Sequence, residues 1–510
     1  MANHSYLYLS SAIVSICGIV YQVLYGAAGS YLFGDSVFFY CMTIGLFLMF
    51  MGVGAAFSEY IKHSLMNRFV QTEYLIAILG GFSVLGLFFC MSYYGVNVAQ
   101  MYLYIVISVT GFLTGIELPI LIRKAQSMGE EIGRSTARVL FFDYAGSLIG
   151  AVGFALLLRP TLGLIKTAFF VACINILVAL IIAFVFKHEL KRPKLHQFSG
   201  VLITIVLIFG FLYGEGMAFK FEQKLYADPI VYHEKTKYQK IILTKNPGDT
   251  RLYLDGQLQF SESDEYRYHE ALVHVPMALA ESHQNVLILG GGDGIVAREV
   301  LKYKGVKKIT LVDLDQKMTN LAKTHPELTR INNNSLHNEK VNIINDGAFH
   351  YLMTNENFFD VIIVDLPDPN NEALNKLYTR EFYSLVRNHL LPGGYTSIQS
   401  TSPIFATEAF WTINKTVKST GLKAKSYHLD VPSFGNWGFT LASRDEINLD
   451  NIDIPVETQY LTNDIVPTLF KFGKDADSTI VREGKTFDIP VNSLNRPVLM
   501  GLYNQAWKYY

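Results

Sequence analysis

The sequence predicts a multi-pass α-helical membrane domain followed by a doubly wound α/β domain that carries a small β-stranded cap. The chain of 510 residues is 50% apolar, and long runs almost free of charge are confined to residues 1–216. From Asn285 onward, apolar strand-like runs alternate with glycine turns and helical segments. The net charge of −1 gives no field that would gather nucleic acid, so we expect no nucleic-acid partner.

Seven stretches in the first part are long and apolar enough to cross a bilayer, which takes about 20 helical residues. They cover residues 6–27, 37–57, 74–94, 98–122, 139–158, 164–186 and 199–215. The sequence therefore predicts a seven-helix transmembrane domain over 1–216, surrounded by the lipid bilayer of a cell membrane. Loops after the second, fourth and sixth stretches hold ten Lys and Arg residues against two on the opposite side, which predicts a cytoplasmic N-terminus and an external globular half.

Two acids, Glu117 and Asp143, lie within or at the edge of these stretches. Ionisable groups in a membrane often mark a path for charged solutes. The alternative is that each acid lies near the interface and pairs with Arg123 or Arg138.

The second part of the chain divides further. Residues 226–260 alternate in short β-like runs with turns at 246–248 and at Asp255-Gly256, which predicts a small antiparallel cap. Five apolar runs follow, as expected for parallel strands covered on both faces; they read NVLILGGG, KITLVDLD, VNIIND, FDVIIVDLPDP and GYTSIQS. We interpret 217–280 as linker and cap, 281–445 as the α/β domain and 446–510 as a C-terminal extension of unassigned structure.

Acidic residues follow four of these strands, at the edge where open α/β sheets bind ligands. The first strand runs into Gly290, Gly291, Gly292 and Asp293, and the second ends at Asp313. Glycines allow the backbone to approach a ligand, and a carboxylate about 20 residues later suits ribose hydroxyls, which predicts nucleoside binding. Asp293 stands where a pyrophosphate would lie, so an adenosyl-sulfonium compound is favoured over a dinucleotide.

The third strand ends at Asp346-Gly347, and the fourth at Asp365, with Asp368 on the same turn. Carboxylates this close raise one another's pKa, which makes one of them a proton acceptor near neutral pH and attracts a diamine. The alternative is a turn with capping acids. The convergence of four acidic strand ends on one edge favours the catalytic interpretation.

These segments resemble the spermidine synthases, or polyamine aminopropyltransferases, in particular their membrane-spanning bacterial branch. The resemblance covers about 226–445 and is carried by YQKIIL, LYLDGQLQFSESDEYRYHEAL, VLILGGGDGIVAREVLKY, VDLD, NDGAFHYL, DVIIVDLPDP and VPSFGNWGF. It implies a Rossmann-like domain of the S-adenosylmethionine-dependent methyltransferase type. It also implies transfer of the aminopropyl group of decarboxylated S-adenosylmethionine to a diamine, usually putrescine, giving spermidine and methylthioadenosine, in a multi-pass protein of a bacterial inner membrane. A homo-oligomer is left open.

The resemblance also implies residue roles, with Asp365 as the base that takes a proton from the attacking nitrogen. The co-substrate would be held by Gln239, His269, Gly290, Gly291, Gly292, Asp293, Asp313, Asp346 and Gly347. The polyamine groove would be lined by Tyr268, Asp368 and Gln399. No prosthetic group and no metal is expected, since no second His or Cys stands at metal spacing near His269.

The sequence departs from the family pattern at three places. Leu366 and Pro367 replace the serine pair of an Asp-Ser-Ser-Asp-Pro core, Asp313 replaces a Glu, and Phe434 stands near where a Tyr often contacts the polyamine. These differences bear on the identity of the diamine more than on the reaction.

Two other functions stay open: an S-adenosylmethionine-dependent methyltransferase, and a membrane polyamine or nucleoside sensor or transporter with a non-catalytic binding domain. Asp293, which prefers an ammonium group, favours aminopropyl transfer over methyl transfer. The external globular half conflicts with the cytoplasmic origin of adenosyl-sulfonium substrates.

Overall fold

The chain forms two compact units, Met1–Ala227 and Asp228–Tyr510. The computed structural model describes residues 2–33, 36–450, 452–479, 481–482, 485–486 and 488–507. The predicted domain ends at Met1 and Tyr510 therefore lie outside the described residues. The finer division at 216, 280 and 445 stays a prediction.

The described part of the first unit is almost entirely helical, because its sequence offers long apolar runs with few charges. Its α-helices are α1 (Ala2–Phe33), α2 (Ser36–Phe57), α3 (Leu65–Tyr94), α4 (Val96–Ser127), α5 (Ile132–Gly153), α6 (Arg159–Val185) and α7 (Pro193–Gln223). This helical, apolar unit agrees with the predicted fold class and fits a membrane domain.

A π-helical turn joins α5 to α6, so the two helices form one helical segment from Ile132 to Val185. Counted this way, the described residues hold 6 helices long and apolar enough to cross a membrane. A straight helix of 54 residues would be about 81 Å long, far more than a bilayer core of about 30 Å. Gly163 interrupts it with φ 68° and ψ −171°, between the fifth and sixth predicted stretches. The number of crossings stays a prediction.

The alternative in which Glu117 and Asp143 pair with Arg123 or Arg138 is wrong for the described residues. Arg123 instead donates to two backbone carbonyl groups, at 3.0 and 3.1 Å, and Arg138 pairs with a different acid at 3.0 Å. Glu117, 3% exposed, interacts with the fully buried Glu73 of α3. Sequence spacing alone could not place Glu73 beside it, because the two acids belong to different helices.

The second unit contains the predicted cap, α/β sheet and helical layers. The four-stranded antiparallel cap consists of β1 (Ile230–Lys235), β2 (Lys240–Asn246), β3 (Asp249–Leu254) and β4 (Gln257–Ser261). The strands of the main sheet are β5 (Asn285–Gly290), β6 (Lys308–Val312), β7 (Val341–Ile344), β8 (Phe359–Asp365), β9 (Leu390–Gln399), β10 (Lys423–Val431) and β11 (Gly435–Ser443). The β3–β4 turn follows its sequence signal, since Asp255 and Gly256 both have positive φ, as a type I′ hairpin turn requires.

Helices cover this sheet. They are α8 (Glu265–Leu279), α9 (Ile295–Val300), α10 (Gln316–Thr324), α11 (Pro326–Ile331), α12 (Ala348–Thr354), α13 (Glu372–Asn375), α14 (Arg380–His389) and α15 (Thr407–Lys418). The C-terminal extension adds α16 (Val466–Leu469), a short hairpin of β12 (Val481–Arg482) and β13 (Lys485–Thr486), and α17 (Leu499–Trp507).

The main sheet has the strand order β10-β11-β9-β8-β5-β6-β7. Strands β5 to β9 run parallel, β11 pairs antiparallel with both β9 and β10, and β10 therefore runs in the same direction as the parallel strands. Apolar clusters lie on both of its faces, because the central strands are apolar at successive positions rather than at alternate ones. The second unit is thus Rossmann-like, as the sequence predicts.

Candidate active site

The candidate site lies at the carboxyl edge of the main sheet. Strand β8 pairs directly with β5. The strand order reverses between these two strands, since β6 and β7 lie on one side and β9 on the other, and doubly wound sheets bind ligands at this position. Asp293, Asp313, Asp346 and Asp365 follow the ends of β5, β6, β7 and β8, and the side chains of all four are partly accessible. The acids are therefore open to a ligand.

The glycine turn after β5 is held tightly between its neighbours. Gly290 and Gly291 have φ of 87° and 62°, a region that favours glycine. A Cβ added at Gly290 would lie 1.9 Å from the Asp365 carbonyl oxygen, and one added at Gly292 would lie 2.4 Å from Asp313 Oδ2. The Gly291 N–H donates to the Asp365 carbonyl at 3.2 Å. The absence of side chains thus lets three strand ends meet.

Asp365, the predicted base, ends β8 and is held by Tyr268 of α8. The Tyr268 hydroxyl donates to Asp365 Oδ1 at 2.6 Å. Burial raises the pKa of Asp365, while the positive charge of His269 and the Tyr268 hydrogen bond lower it. The net effect is a pKa above the ordinary value of an aspartate, which favours a proton acceptor.

Asp368 follows Asp365 by three residues and accepts hydrogen bonds from a different set of donors. Gln399 Nε2, from the end of β9, donates to Asp368 Oδ1 at 2.7 Å, and Thr401 Oγ1 donates to Oδ2 at 3.3 Å. Burial raises the pKa of Asp368 to about 6, against the lowering effect of these hydrogen bonds and of Tyr503. Burial, rather than the mutual repulsion expected from their spacing, is thus the main cause of the raised pKa of both Asp365 and Asp368.

His269 lies one residue after Tyr268 on α8, and its Nδ1 bonds to Glu265 Oε2 at 2.8 Å. Burial lowers the pKa of His269, but Glu265 and the charges of Asp293 and Asp365 outweigh burial and raise that pKa to about 9. The ring is then an imidazolium at neutral pH, and it donates at both nitrogens. This cationic ring attracts the neighbouring carboxylates and would repel an ammonium group.

Asp293 adds a carboxylate near this imidazolium. Burial raises the pKa of Asp293 to about 6, against the lowering effect of His269. Its Oδ1 accepts the Ile295 N–H at 2.8 Å, which fixes the carboxylate at the start of α9. Asp293 is therefore negatively charged at neutral pH and able to attract a cationic ligand.

Gln239 reaches the edge from the cap. Its Nε2 donates to Asp315 Oδ2 at 3.2 Å, and the Asp315 N–H donates to Asp313 Oδ1 at 2.8 Å. Burial raises the pKa of Asp313 to about 6. The structure thus brings Gln239 and Asp313 together, with Asp315 between them.

Asp346 and Gly347 follow β7. Asp346 Oδ1 accepts the Gly347 N–H at 2.7 Å, and Oδ2 lies 2.7 Å from His350 Nδ1. The adjacent Asn345 donates to the Asp313 carbonyl at 3.2 Å. Asp346 and Gly347 therefore belong to the same edge as Asp313.

Sequence reasoning missed several side chains that hold these groups. They are Glu265, Asp315, Tyr378, Thr401 and Tyr503. Asp315 had a local signal, because an aspartate before a helical run is a favoured N-cap, and its side chain accepts the Lys317 N–H at 3.1 Å. Tyr503 had none, since it lies in the extension far along the chain from Asp368.

Among the described residues, no three His, Cys, Asp or Glu side chains form a group that could hold a metal ion. The expectation of a metal-independent reaction stays a prediction.

The chain matches the family model of the spermine/spermidine synthase domain over residues 265–451. It is 53% identical over 504 residues to a polyamine aminopropyltransferase of Oceanobacillus iheyensis, covering 99% of this chain and 98% of that protein. A polyamine aminopropyltransferase of Leptospira interrogans is 37% identical, with 98% of each chain covered. A solved spermidine synthase in complex with the transition-state analogue AdoDATO is 28% identical, with a TM-score of 0.46 over 48% of this chain and 85% of that chain.

The first two matches run through both units, so the similarity includes the apolar helices as well as the catalytic sheet. The chain therefore belongs to the polyamine aminopropyltransferase family and is an enzyme with a spermine/spermidine synthase domain.

Proposed function

We propose that the enzyme transfers the aminopropyl group of decarboxylated S-adenosylmethionine to putrescine, giving spermidine and methylthioadenosine, with Asp365 as the general base. The observation that supports this most is the hydrogen bond from Tyr268 to Asp365 at 2.6 Å, at a strand end where burial raises the pKa of the carboxylate. A fixed carboxylate with a raised pKa is suited to accept a proton from an amine.

The chemical step requires a neutral nitrogen. A primary amine is protonated at neutral pH, and a protonated amine has no lone pair with which to attack. Asp365 takes one proton, and the freed lone pair attacks the carbon next to the sulfonium. The C–N bond forms as the C–S bond breaks, and the electron pair of the C–S bond stays on sulfur, which becomes the neutral thioether of methylthioadenosine. Alignment of the two reactants supplies much of the rate enhancement.

The remaining residues bind the reactants in this proposal. Asp313 and Gln239 hold the ribose and Asp346-Gly347 the adenine side. Asp293, charged at neutral pH and partly accessible, holds the cationic chain. We further propose that His269 acts through its neighbouring carboxylates, because its imidazolium would repel an ammonium group.

Tyr268, Asp368 and Gln399 line the acceptor groove in the same proposal, at the end of β8 and β9. Their support is the connected set of hydrogen bonds around Asp365 and Asp368. The location of the first unit in a cell membrane is also a proposal, supported by the 6 long apolar helices found among its described residues.

The test is Asp365→Asn in the full-length protein purified in detergent, with methylthioadenosine release as the measurement. Loss of the base is expected to lower kcat by roughly 100-fold or more, while binding of decarboxylated S-adenosylmethionine largely survives. Asp360→Asn is the matched control, because Asp360 belongs to the same strand but accepts the Asn285 N–H at 2.8 Å at the opposite end of β8. The proposal fails if Asp365→Asn retains more than about a tenth of the wild-type kcat.

The same assay separates the other candidate functions. A sensor or transporter would bind polyamine or nucleoside without releasing methylthioadenosine from any diamine. A methyltransferase would transfer label from the S-methyl group rather than from the aminopropyl carbons.

A further inference from the structure

The C-terminal helix α17 lies against the acceptor side of the proposed site. Leu499 and Tyr503, 0% and 6% exposed, form its buried face and belong to the apolar cluster shared with β8 and β9. Asn492 fixes the start of the helix, because its Oδ1 accepts the Leu499 N–H at 3.2 Å and its Nδ2 donates to the Tyr378 carbonyl at 3.0 Å. The extension is therefore anchored to the segment that follows Asp368.

Two further contacts tie α17 to that segment. Asn504 Nδ2 donates to the Asn370 carbonyl at 3.3 Å, and the Met500 N–H donates to Asn375 Oδ1 at 3.3 Å. Asn370 lies two residues after Asp368, so α17 holds the loop that carries this carboxylate.

Tyr503 itself reaches the carboxylate. Its side chain lies close to Asp368 and to Gln257 at the start of β4 in the cap. Burial and the negative charge of Asp368 raise the pKa of Tyr503, so the hydroxyl keeps its proton and stays a donor. Tyr503 thus joins the cap, the Asp368 turn and α17.

Aromatic rings connect the two carboxylates. The aromatic wall runs from Tyr268 to Phe434, Trp437, Trp507 and Tyr503, with successive ring centroids 6.1, 5.2, 6.4 and 6.0 Å apart. Tyr268 donates a hydrogen bond to Asp365 at one end of the wall, and Tyr503 lies close to Asp368 at the other. Rings with a carboxylate at each end suit an aliphatic chain that carries two ammonium groups.

We propose that α17 closes the acceptor end of the active site, and that Tyr503 is a positioning residue beside Asp368 that limits the length of the accepted amine. This inference rests on the proposed function, in which the attacking nitrogen lies at Asp365. The other ammonium group of a short diamine then extends along the aromatic wall toward Asp368, and a longer amine meets the Tyr503 ring.

The experiment measures acceptor kinetics of the full-length enzyme with 1,4-diaminobutane, 1,5-diaminopentane and spermidine. Tyr503→Phe, which keeps the ring and removes the hydroxyl beside Asp368, is expected to raise the KM for 1,4-diaminobutane about tenfold through loss of a polar contact to a charged group, with kcat and the donor KM within about twofold. Tyr503 lowers the pKa of Asp368, so loss of its hydroxyl raises that pKa. Acceptor affinity is then lost at a higher pH than in the wild type.

Tyr503→Ala removes the ring and is expected to raise the ratio of kcat/KM for the five-carbon diamine to that for the four-carbon diamine by about fivefold or more. The two diamines differ by one methylene, and a pocket that fits or excludes one methylene changes selectivity by about this much or more. Gln505→Ala on the exposed face of α17 is the matched control and is expected to leave all constants unchanged.

Two results would overturn the inference while leaving the proposed function intact. One is a wild-type acceptor KM and selectivity, within about twofold, in both Tyr503 variants. The other is an equal rise of donor and acceptor KM in Tyr503→Phe, which would indicate general damage to the fold. If the wild-type enzyme transfers to none of the three amines, the proposed function fails and this inference fails with it.

Discussion

At the scale of single residues, Asp365 has its charge set by three opposing effects. Burial at the end of β8 raises its pKa, whereas the His269 charge and the Tyr268 hydroxyl lower it. His269 keeps its proton because Glu265 bonds to it, and Arg298 Nη1 in turn bonds to Glu265 at 2.8 Å. The reactivity of Asp365 as the proposed base therefore depends on a chain of groups on α8 and α9.

Tyr268→Phe tests this balance. The hydrogen bond lowers the pKa of Asp365, so its removal raises that pKa and leaves less Asp365 ionised at a given pH. We expect the acid limb of the kcat/KM profile to move to higher pH and kcat to fall roughly tenfold, for loss of about 1.5 kcal/mol.

Tyr427→Phe is the control for Tyr268→Phe, because the Tyr427 hydroxyl also makes a buried hydrogen bond, to the Ala271 carbonyl at 3.0 Å, but away from the base. It is expected to lower thermal stability without moving the acid limb. An unshifted acid limb in Tyr268→Phe would contradict the role given to its hydroxyl.

Donor recognition is expected to depend on pH through Asp293 and Asp313. Burial raises the pKa of both from an ordinary 3.8 to about 6, so both take up protons as the pH falls through 6. Asp293 then loses its attraction for the cationic chain, and Asp313 loses acceptor capacity for the ribose hydroxyls. The KM for decarboxylated S-adenosylmethionine should be constant from about pH 7 to 8 and rise below about pH 6. Steady-state kinetics at saturating acceptor measure this, and a constant KM down to about pH 5 would refute it.

At the scale of elements, the turn after β5 decides how closely the strand ends approach. Gly290→Ala would place a Cβ 1.9 Å from the Asp365 carbonyl oxygen at a φ of 87°, so the β8 end must move. Small displacements of a reacting group cost about 100-fold in rate, and we expect a fall in kcat of that size together with a lower unfolding temperature. Gly501→Ala on α17 is the control, since no atom lies within 4 Å of its added Cβ and helical alanine is favoured. Wild-type kcat in Gly290→Ala would contradict this view of the turn.

Local patterns predicted the parts of the fold and site that depend on neighbouring residues. Apolar runs ending in Asp313 or Asp365 are strand ends in the structure, and Asp255-Gly256 forms the expected hairpin turn. Tyr503 and Glu73 could not be predicted, because each meets its partner only through long-range packing. The sequence also could not predict why the pKa of Asp365 is raised. Sequence spacing indicates that Asp368 is near, but it does not show how deeply either carboxyl group is buried.

At the scale of the whole molecule, the predicted number of membrane crossings depends on the helix break at Gly163. The helix from Ile132 to Val185 is too long to cross once, and the non-helical φ and ψ of Gly163 allow α5 and α6 to cross separately. With α1 to α4 and α7, this predicts seven crossings, an odd number. The basic residues of the loops after α2, α4 and α6 then predict a cytoplasmic N-terminus.

An odd number of crossings places the two ends of the chain on opposite sides of the membrane. Reporters fused before Met1 and after Tyr510, one active only in the cytoplasm and one only outside it, are therefore expected to give opposite results for the two ends. By the loop charges, the C-terminal reporter is expected to be external, which would require the adenosyl-sulfonium substrate to be available there. Both ends on the same side would refute seven crossings and mean that one helix of the first unit does not span. An external N-terminal reporter with a cytoplasmic C-terminal reporter would agree with seven crossings but refute the orientation predicted from the basic loops. The catalytic unit would then lie in the cytoplasm, where the adenosyl-sulfonium substrate is made.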